Sequence, residues 1–157
     1  MSDLSYAVQL AQKLIRCPSI TPEEAGTLDL LEAELIKLGF NCTRLAFGEG
    51  KDRIENLYAE FGEGPAHFAF AGHVDVVPVG RVADWQFDPF QAEIKDGFLH
   101  GRGAADMKSG IAAFVSAIRQ WQESSEKHTK VSLIITGDEE ADAINGTSKL
   151  VDWMRQN

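Results

Sequence analysis

The chain has 157 residues, of which 44% are hydrophobic and 25% charged, and its 15 basic and 24 acidic side chains give a net charge of −9. The length is enough for one globular domain with its own core. The acidic balance argues against nucleic acid or an anionic membrane as a partner, because both require clustered Lys and Arg.

The pattern of the first 39 residues predicts two helices, the first of which is ended by a proline. The first helix covers 3–16, and Cys17-Pro18 ends it because proline disfavours helical geometry in the residue before it. The second covers 25–38 and ends at Gly39, which suits the left-handed position after a helix. The apolar positions at helical spacing are Leu4, Val8, Ala11 and Ile15 in the first helix and Leu28, Leu31, Leu35 and Leu38 in the second.

Short apolar segments then alternate with further helices. Strands are predicted at 40–47, 54–61, 67–71 and 131–136, with Gly72 ending the third, and helices at 107–122 and 145–155. Asp96-Gly97 within 92–100 predicts a tight hairpin. This alternation indicates an α/β layer architecture with a largely parallel or mixed sheet. Functional residues in such sheets gather beyond the C-terminal ends of the strands, so the loops after Ala71 and Thr136 are the first candidates.

The first candidate loop carries His73 and Asp75. Residues two apart in an extended chain point the same way, so this carboxylate can hold the imidazole in one orientation, as is usual behind a metal-bound histidine. The plainer interpretation is a histidine at a strand end beside a surface Asp.

The second candidate loop, 101–110, carries Asp106 at the start of the predicted helix. Taken alone, Asp106 reads as an N-cap carboxylate, while the glycines before it suit a backbone that must pass close to another group. A phosphate-binding loop is excluded because Met107 rather than Gly precedes Lys108, and because Asp106 would repel phosphate.

The third candidate loop is the acidic turn Asp138-Glu139-Glu140, directly after a buried strand. Three consecutive carboxylates there are costly unless a cation or water compensates them. A solvated turn remains an alternative. One imidazole with several carboxylates suits Zn²⁺, Mn²⁺ or Co²⁺, and two adjacent glutamates can divide the work between binding metal and moving a proton.

These motifs together resemble the M20 metallopeptidase family, whose members are di-zinc amidohydrolases and peptidases. The segments that carry the resemblance are 18–22 (PSITP), 71–78 (AGHVDVVP), 101–108 (GRGAADMK) and 138–140 (DEE). The resemblance implies a three-layer helix/sheet/helix catalytic domain and a cis peptide after Asp106. It also implies hydrolysis of an N-succinylated diamino acid in lysine biosynthesis, with a related deacylase or carboxypeptidase as the alternative.

The resemblance also implies a role for each site residue. His73 would bind one zinc, Glu140 would bind the other, and Asp106 would bridge them, with cobalt or manganese as alternatives to zinc. Asp75 would orient His73, and Glu139 would act as general acid and base. The other histidines, His67, His100 and His128, are not expected to be ligands.

The family resemblance further implies that residues 1–157 form the N-terminal portion of a catalytic domain. The family's lid, which dimerises, and its C-terminal segment with further ligands are not in this sequence, so weak or absent metal occupancy is expected. The alternative is a non-catalytic protein, either a truncated chain or a naturally short binding module that keeps the fold. The expected partners are a small-molecule substrate and, for a full-length protein, a second subunit. Cys17 and Cys42 form no CxxC pair and the N-terminus lacks a signal-peptide pattern, so a cytoplasmic location is expected.

Overall fold

The computed structural model describes residues 5–123 and 129–157. Within this part of the chain the helices are α1 (Tyr6–Ile15), α2 (Thr27–Lys37), α3 (Ser109–Gln122) and α4 (Thr147–Gln156). The strands are β1 (Asn41–Phe47), β2 (Ile54–Phe61), β3 (Ala66–His73), β4 (Ile94–Lys95), β5 (Phe98–Leu99) and β6 (Thr129–Thr136). The predicted elements are therefore present, with boundaries that differ by a few residues.

The main sheet is mixed, with the strand order β1-β2-β6-β3. β2 pairs antiparallel with both β1 and β6, whereas β3 pairs parallel with β6. β6 is therefore an inner strand, and its residues from Val131 onwards are buried, which explains why Val131 and Leu133 to Ile135 are apolar. The predicted hairpin forms a separate two-stranded sheet of β4 and β5, with positive φ angles of 52° at Asp96 and 84° at Gly97.

Helices cover both faces of the main sheet and give the expected three layers. Alternate residues of β2 and β6 point to opposite faces. Leu57 and Leu133 belong to the larger core together with residues of α1, α2 and α3. Tyr58 and Ile134 point the other way and pack with Leu150 of α4. The site described below lies at the C-terminal ends of β3 and β6, at the edge of this layered core.

The buried face of α1 differs from the one that the spacing predicts. Its buried residues are Leu10, Ala11, Leu14 and Ile15, whereas Val8 is only half-buried, and positions 3 and 4 lie outside the described residues. α1 packs against both α2 and α3, so its apolar face is wider than a single stripe. In α2 the expected Leu28, Leu31 and Leu35 are fully buried, and Gly39 has the expected positive φ of 81°.

Two other expectations near the site are wrong in detail. Gly72 does not end β3, since it pairs with Ile135 and the strand continues to His73. A side chain at this position would lie 3.2 Å from the Met107 methyl carbon, so glycine makes room for the neighbouring loop. α3 begins at Ser109 rather than 107, because Asp106 and Met107 have extended φ angles of −126° and −130°. In the described part of the chain, no helix has the length and apolar character needed to cross a membrane.

Candidate metal centre

The candidate site forms where two parallel strands end side by side. His73 is the last residue of β3 and pairs with Thr136, the last residue of β6. The loops that follow them therefore leave the sheet at the same edge, as expected for the carboxyl ends of parallel strands. The third loop, which carries Asp106, reaches this edge from the segment before α3.

His73 lies between backbone on one side and carboxylates on the other. Its side chain is only 5% exposed, and Nε2 lies 3.0 Å from Asp106 Oδ1 and 3.7 Å from Glu139 Oε2. Nδ1 lies 3.0 Å from the backbone carbonyl of Asp75 and 3.5 Å from the Asp75 carboxylate. Donation from Nδ1 to that carbonyl leaves Nε2 facing the acidic groups, the orientation in which a histidine binds a metal.

The acidic groups around His73 favour its protonated form. Burial is the largest single influence and would lower the pKa, but hydrogen bonds to Asp75 and Asp106 outweigh it and raise the pKa of His73 to about 9. A metal must displace this proton from Nε2 before it can bind there.

Asp75 does more than orient the imidazole, because its carboxylate also holds the acidic turn. The side chain is 1% exposed and accepts backbone N–H bonds from Glu139 at 3.1 Å and Glu140 at 3.0 Å, together with the Thr21 hydroxyl at 2.9 Å. Burial alone would raise the pKa of Asp75, but the hydrogen bonds from His73, Glu140, Thr21 and Glu139 lower it. Asp75 is therefore an ionised acceptor that connects two loops of the site.

Asp106 lies in a turn that brings its carboxylate towards His73. The turn, Ala104–Lys108, follows Gly103 at φ 80°, and the Asp106–Met107 peptide is cis, as the resemblance implies. The Asp106 side chain is 75% exposed. Lys108, not Asp106, occupies the N-cap position of α3, and it makes no side-chain capping bond. The simpler N-cap interpretation of Asp106 is therefore wrong.

The three carboxylates of the acidic turn have different environments. Asp138 is 5% exposed and accepts N–H bonds from Ala143 and Asn145, both at 3.2 Å. Backbone amides therefore compensate its charge without a cation. Glu139 is 55% exposed and lines the cleft beside His73. Glu140 is half-buried and offers a ligand atom within 4.8 Å of those of His73 and Asp106. Burial and the charges of Asp106, Glu139 and Asp75 raise the pKa of Glu140, although His73 lowers it.

The three predicted metal ligands come together in space. His73, Asp106 and Glu140 each offer a ligand atom within 4.8 Å of the others. One imidazole and two carboxylates form a suitable donor set for zinc or a similar divalent ion. After burial, the neighbouring carboxylates also raise the pKa of Glu140, and a cation would relieve that repulsion. The residues therefore fit a metal, while their separate roles as terminal and bridging ligands remain predictions.

The cleft at this site has a volume of about 280 Å³ and includes His73, Asp106, Glu139 and Thr136 in its lining. A larger cleft, of about 520 Å³, lies on the α4 side of the sheet. Glu60 in its lining forms a 2.7 Å ion pair with Lys130, and among the described residues this cleft lacks the group of possible metal ligands found at the first one.

The remaining histidines and cysteines lie outside the cluster. His67 Nε2 contacts Ser132 at 2.9 Å, and His100 packs on Phe87 with 4.6 Å between ring centroids. His128 lies outside the described residues. Cys17 and Cys42 are both free thiols. Neither His67 nor His100 belongs to the group of possible metal ligands.

Sequence reasoning missed two residues that support the site. Lys108 is fully buried, and its Nζ donates to the carbonyls of Leu14 at 2.9 Å and Cys17 at 2.7 Å. Burial lowers the pKa of Lys108 to about 8. Thr21 contacts Asp75, as described above. Both residues lie in segments that carry the family resemblance, and that was the only signal in the sequence that pointed to them.

Comparison with known proteins identifies relatives over nearly the whole chain. Residues 69–157 match the model of the peptidase family M20/M25/M40. The succinyl-diaminopimelate desuccinylase of Rhodospirillum centenum is 54% identical over 149 residues, which are 94% of this chain and 39% of that protein. The desuccinylase of Parvibaculum lavamentivorans is 53% identical over 146 residues, or 92% and 37%. The chain therefore spans less than half the length of the curated relatives that it matches.

Solved structures show the same architecture. The M20 family metallo-carboxypeptidase Sso-CP2 from Sulfolobus solfataricus superposes with a TM-score of 0.84 at 26% identity, covering 98% of this chain and 35% of that protein. Human carnosine dipeptidase 1 also gives a TM-score of 0.84, at 25% identity, covering 96% of this chain and 35% of that protein. These matches confirm the predicted α/β fold with a mixed sheet between helices.

Proposed function

Because this chain belongs to the peptidase family M20/M25/M40, we propose that it forms the metal-binding part of an amide hydrolase. The proposed reaction is the hydrolysis of N-succinyl-L,L-diaminopimelate to succinate and L,L-diaminopimelate, as part of lysine biosynthesis. The observation that carries the proposal is the convergence of His73, Asp106 and Glu140 at one sheet edge. The more than 50% identity to desuccinylases supports this substrate over those of other family members.

The residues that would hold metal are the three of this cluster. In the proposed arrangement His73 would bind one zinc, Glu140 would bind a second, and Asp106 would bridge them, with cobalt or manganese as alternatives. A divalent cation supplies Lewis acidity that polarises an amide carbonyl and makes water more acidic. The hydrogen bond from His73 Nδ1 to the Asp75 carbonyl keeps Nε2 aimed at the cation position.

Glu139 is the proposed general acid and base. Its carboxylate is exposed to the cleft and lies 3.7 Å from His73 Nε2, while its backbone N–H is held by Asp75. From this position it can take a proton from water and return it to the leaving amine. It contributes no atom to the three-residue ligand cluster, which leaves its carboxylate available for this proton transfer.

We also propose that this chain corresponds to the N-terminal portion of the catalytic domain. The part of the curated relatives that the chain does not match, about 61% of the first of them, is where we place further ligands and a dimerisation domain. The two free thiols are compatible with the reducing cytoplasm, where we place the reaction.

A chimera tests the proposed function directly. In it, this chain replaces the 149 matching residues of the Rhodospirillum centenum desuccinylase, and hydrolysis of N-succinyl-L,L-diaminopimelate is measured with bound zinc quantified in parallel. The chimera should hydrolyse this substrate in preference to acetylornithine. Glu139→Gln should lower turnover by about 10²–10⁴-fold, the usual contribution of a general base, and should leave zinc content unchanged. Asp142→Asn, at an exposed position of the same loop, is the matched control.

Three outcomes would contradict the proposal. Near-normal turnover of the Glu139→Gln chimera would remove the assigned role of Glu139. A preference for acetylornithine or a dipeptide would favour the related deacylase or carboxypeptidase. A folded chimera that binds zinc but hydrolyses none of these substrates would favour a non-catalytic role for this chain.

A further inference from the structure

A short segment directly after α1 lies against the candidate site, although none of its residues belongs to the metal-ligand cluster. This segment, Cys17 to Thr21, is called the support segment below. Ser19 Oγ donates to the Val74 carbonyl at 2.6 Å, and the Val76 N–H donates to the Ser19 carbonyl at 2.9 Å. Ile20 and Val76 form a parallel bridge. The support segment is therefore paired with the backbone that immediately follows His73.

The last residue of the support segment contacts the carboxylate that holds the acidic turn. Thr21 Oγ1 donates to Asp75 Oδ2 at 2.9 Å, and the same oxygen accepts the backbone N–H groups of Glu139 and Glu140. Asp75 is 1% exposed, so water cannot readily replace a lost donor. The Thr21 hydroxyl thus fixes the acceptor on which the position of the acidic turn depends.

The first residue of the support segment is tied to the loop that carries Asp106. The buried Lys108 ammonium donates to the Cys17 carbonyl at 2.7 Å. Gly103 leaves room for this contact, because a Cβ there would lie 3.2 Å from Lys108 Cδ and 2.8 Å from Val76 Cγ1. The support segment therefore connects all three loops of the site.

We propose that Thr21 is a positioning residue that acts through Asp75 to set the place of Glu139 and Glu140 relative to His73. Thr21 is not a catalytic residue, since its hydroxyl contacts Asp75 and not the cleft. The consequence for metal affinity rests on the proposed function, whereas the consequence for the position of the acidic turn does not. This role of Thr21 accounts for a residue of the segment 18–22 (PSITP) that the reaction itself does not use.

Three variants of the 157-residue chain separate positioning from general stability. Thr21→Val keeps the shape and removes the hydroxyl, and Thr21→Ser keeps the hydroxyl and should restore the wild-type behaviour. Thr27→Val is the matched control, because Thr27 is fully buried and its Oγ1 has no hydrogen-bond partner among the described residues. If Thr21→Val does not fold, Thr21→Cys, whose thiol is a weaker donor, should give an intermediate effect.

The first measurement uses the metal-free chain. Amide hydrogen exchange at Glu139 and Glu140 should be about tenfold faster in Thr21→Val, because both N–H groups donate to Asp75 and local opening is what limits their exchange. Exchange at Leu57, in the core of β2, should not change. Equal acceleration at Leu57, or no acceleration at Glu139 and Glu140, would overturn the proposal.

The second measurement follows zinc titrations by amide NMR shifts. Residues that support metal ligands typically change affinity by 10- to 100-fold when removed, so Thr21→Val should bind zinc about tenfold more weakly than wild type. Thr21→Ser and Thr27→Val should stay close to wild type. If the wild-type chain takes up no zinc, as the expected shortage of ligands in these 157 residues allows, the exchange data alone decide the role of Thr21. Unchanged zinc affinity in Thr21→Val, with wild-type binding intact, would overturn the proposal.

Discussion

Asp138 should be a structural residue of the acidic turn, although Glu139 beside it lines the cleft and Glu140 belongs to the metal-ligand group. Replacing it with Ala removes the acceptor of the Ala143 and Asn145 N–H groups, which are held at 3.2 Å. Asn145 in turn receives a bond from Asn56 to its carbonyl at 3.0 Å. The Asp138→Ala change should therefore loosen the whole stretch between the acidic turn and α4.

The size of the effect follows from these two hydrogen bonds. Bonds to a charged acceptor contribute about 1.5–3 kcal/mol each. Both are at the long end of the normal distance range, and Ala143 is exposed enough to bond to water after the substitution. A loss of about 2 kcal/mol in the free energy of unfolding is therefore expected. With a urea m-value of about 2 kcal/mol/M, the unfolding midpoint should fall by about 1 M.

Urea unfolding followed by circular dichroism measures this change, with Asp142→Ala as the matched control. Asp142 is an exposed carboxylate in the same loop. Its removal should change the free energy of unfolding by less than about 0.5 kcal/mol. Equal midpoints for the two variants would refute the assignment of Asp138 as the residue that holds this loop.

Three further results are expected. Gly146→Ala should destabilise the chain by about 1–3 kcal/mol in urea unfolding, because the new Cβ would overlap Thr136 Oγ1 and lie 2.6 Å from a backbone carbonyl; wild-type stability would contradict this. Burial, followed by the charge of Glu32, raises the pKa of the Cys42 thiol from 9.0 to about 11. The folded state therefore keeps a proton that the unfolded chain releases, so stability should fall between pH 9 and 11, and a Cys42→Ala variant that showed the same fall would refute this cause. Calorimetry should show weak or no zinc binding by the 157-residue chain, and tight binding of two zinc ions per chain would contradict the expected ligand shortage.

Much of the fold and the ligand cluster could be predicted because both follow from local patterns. Apolar periodicity located the helices and strands, and the rule for parallel strand ends indicated the loops that carry His73 and the acidic turn. The motifs then indicated Asp106 and Glu140, which the structure brings within reach of His73. The strand order and the antiparallel pairing of β2 with β6 were not predictable. Local sequence patterns do not determine which strands pair, and strand direction in the sheet depends on that pairing.

The sequence by itself determined which chemical groups are present at the sheet edge: an imidazole, adjacent carboxylates and the glycines that allow close approach. Only the tertiary structure decided the different environments of the three carboxylates. Asp138 is buried and accepts hydrogen bonds from backbone amides, Glu139 is exposed to the cleft, and Glu140 belongs to the metal-ligand group. The tertiary structure alone also placed the Thr21 hydroxyl on the Asp75 carboxylate, across 54 positions of the sequence. The physical reason is that the ionisation and orientation of a carboxylate depend on its burial and on nearby hydrogen-bond donors, and the fold supplies both from distant parts of the chain.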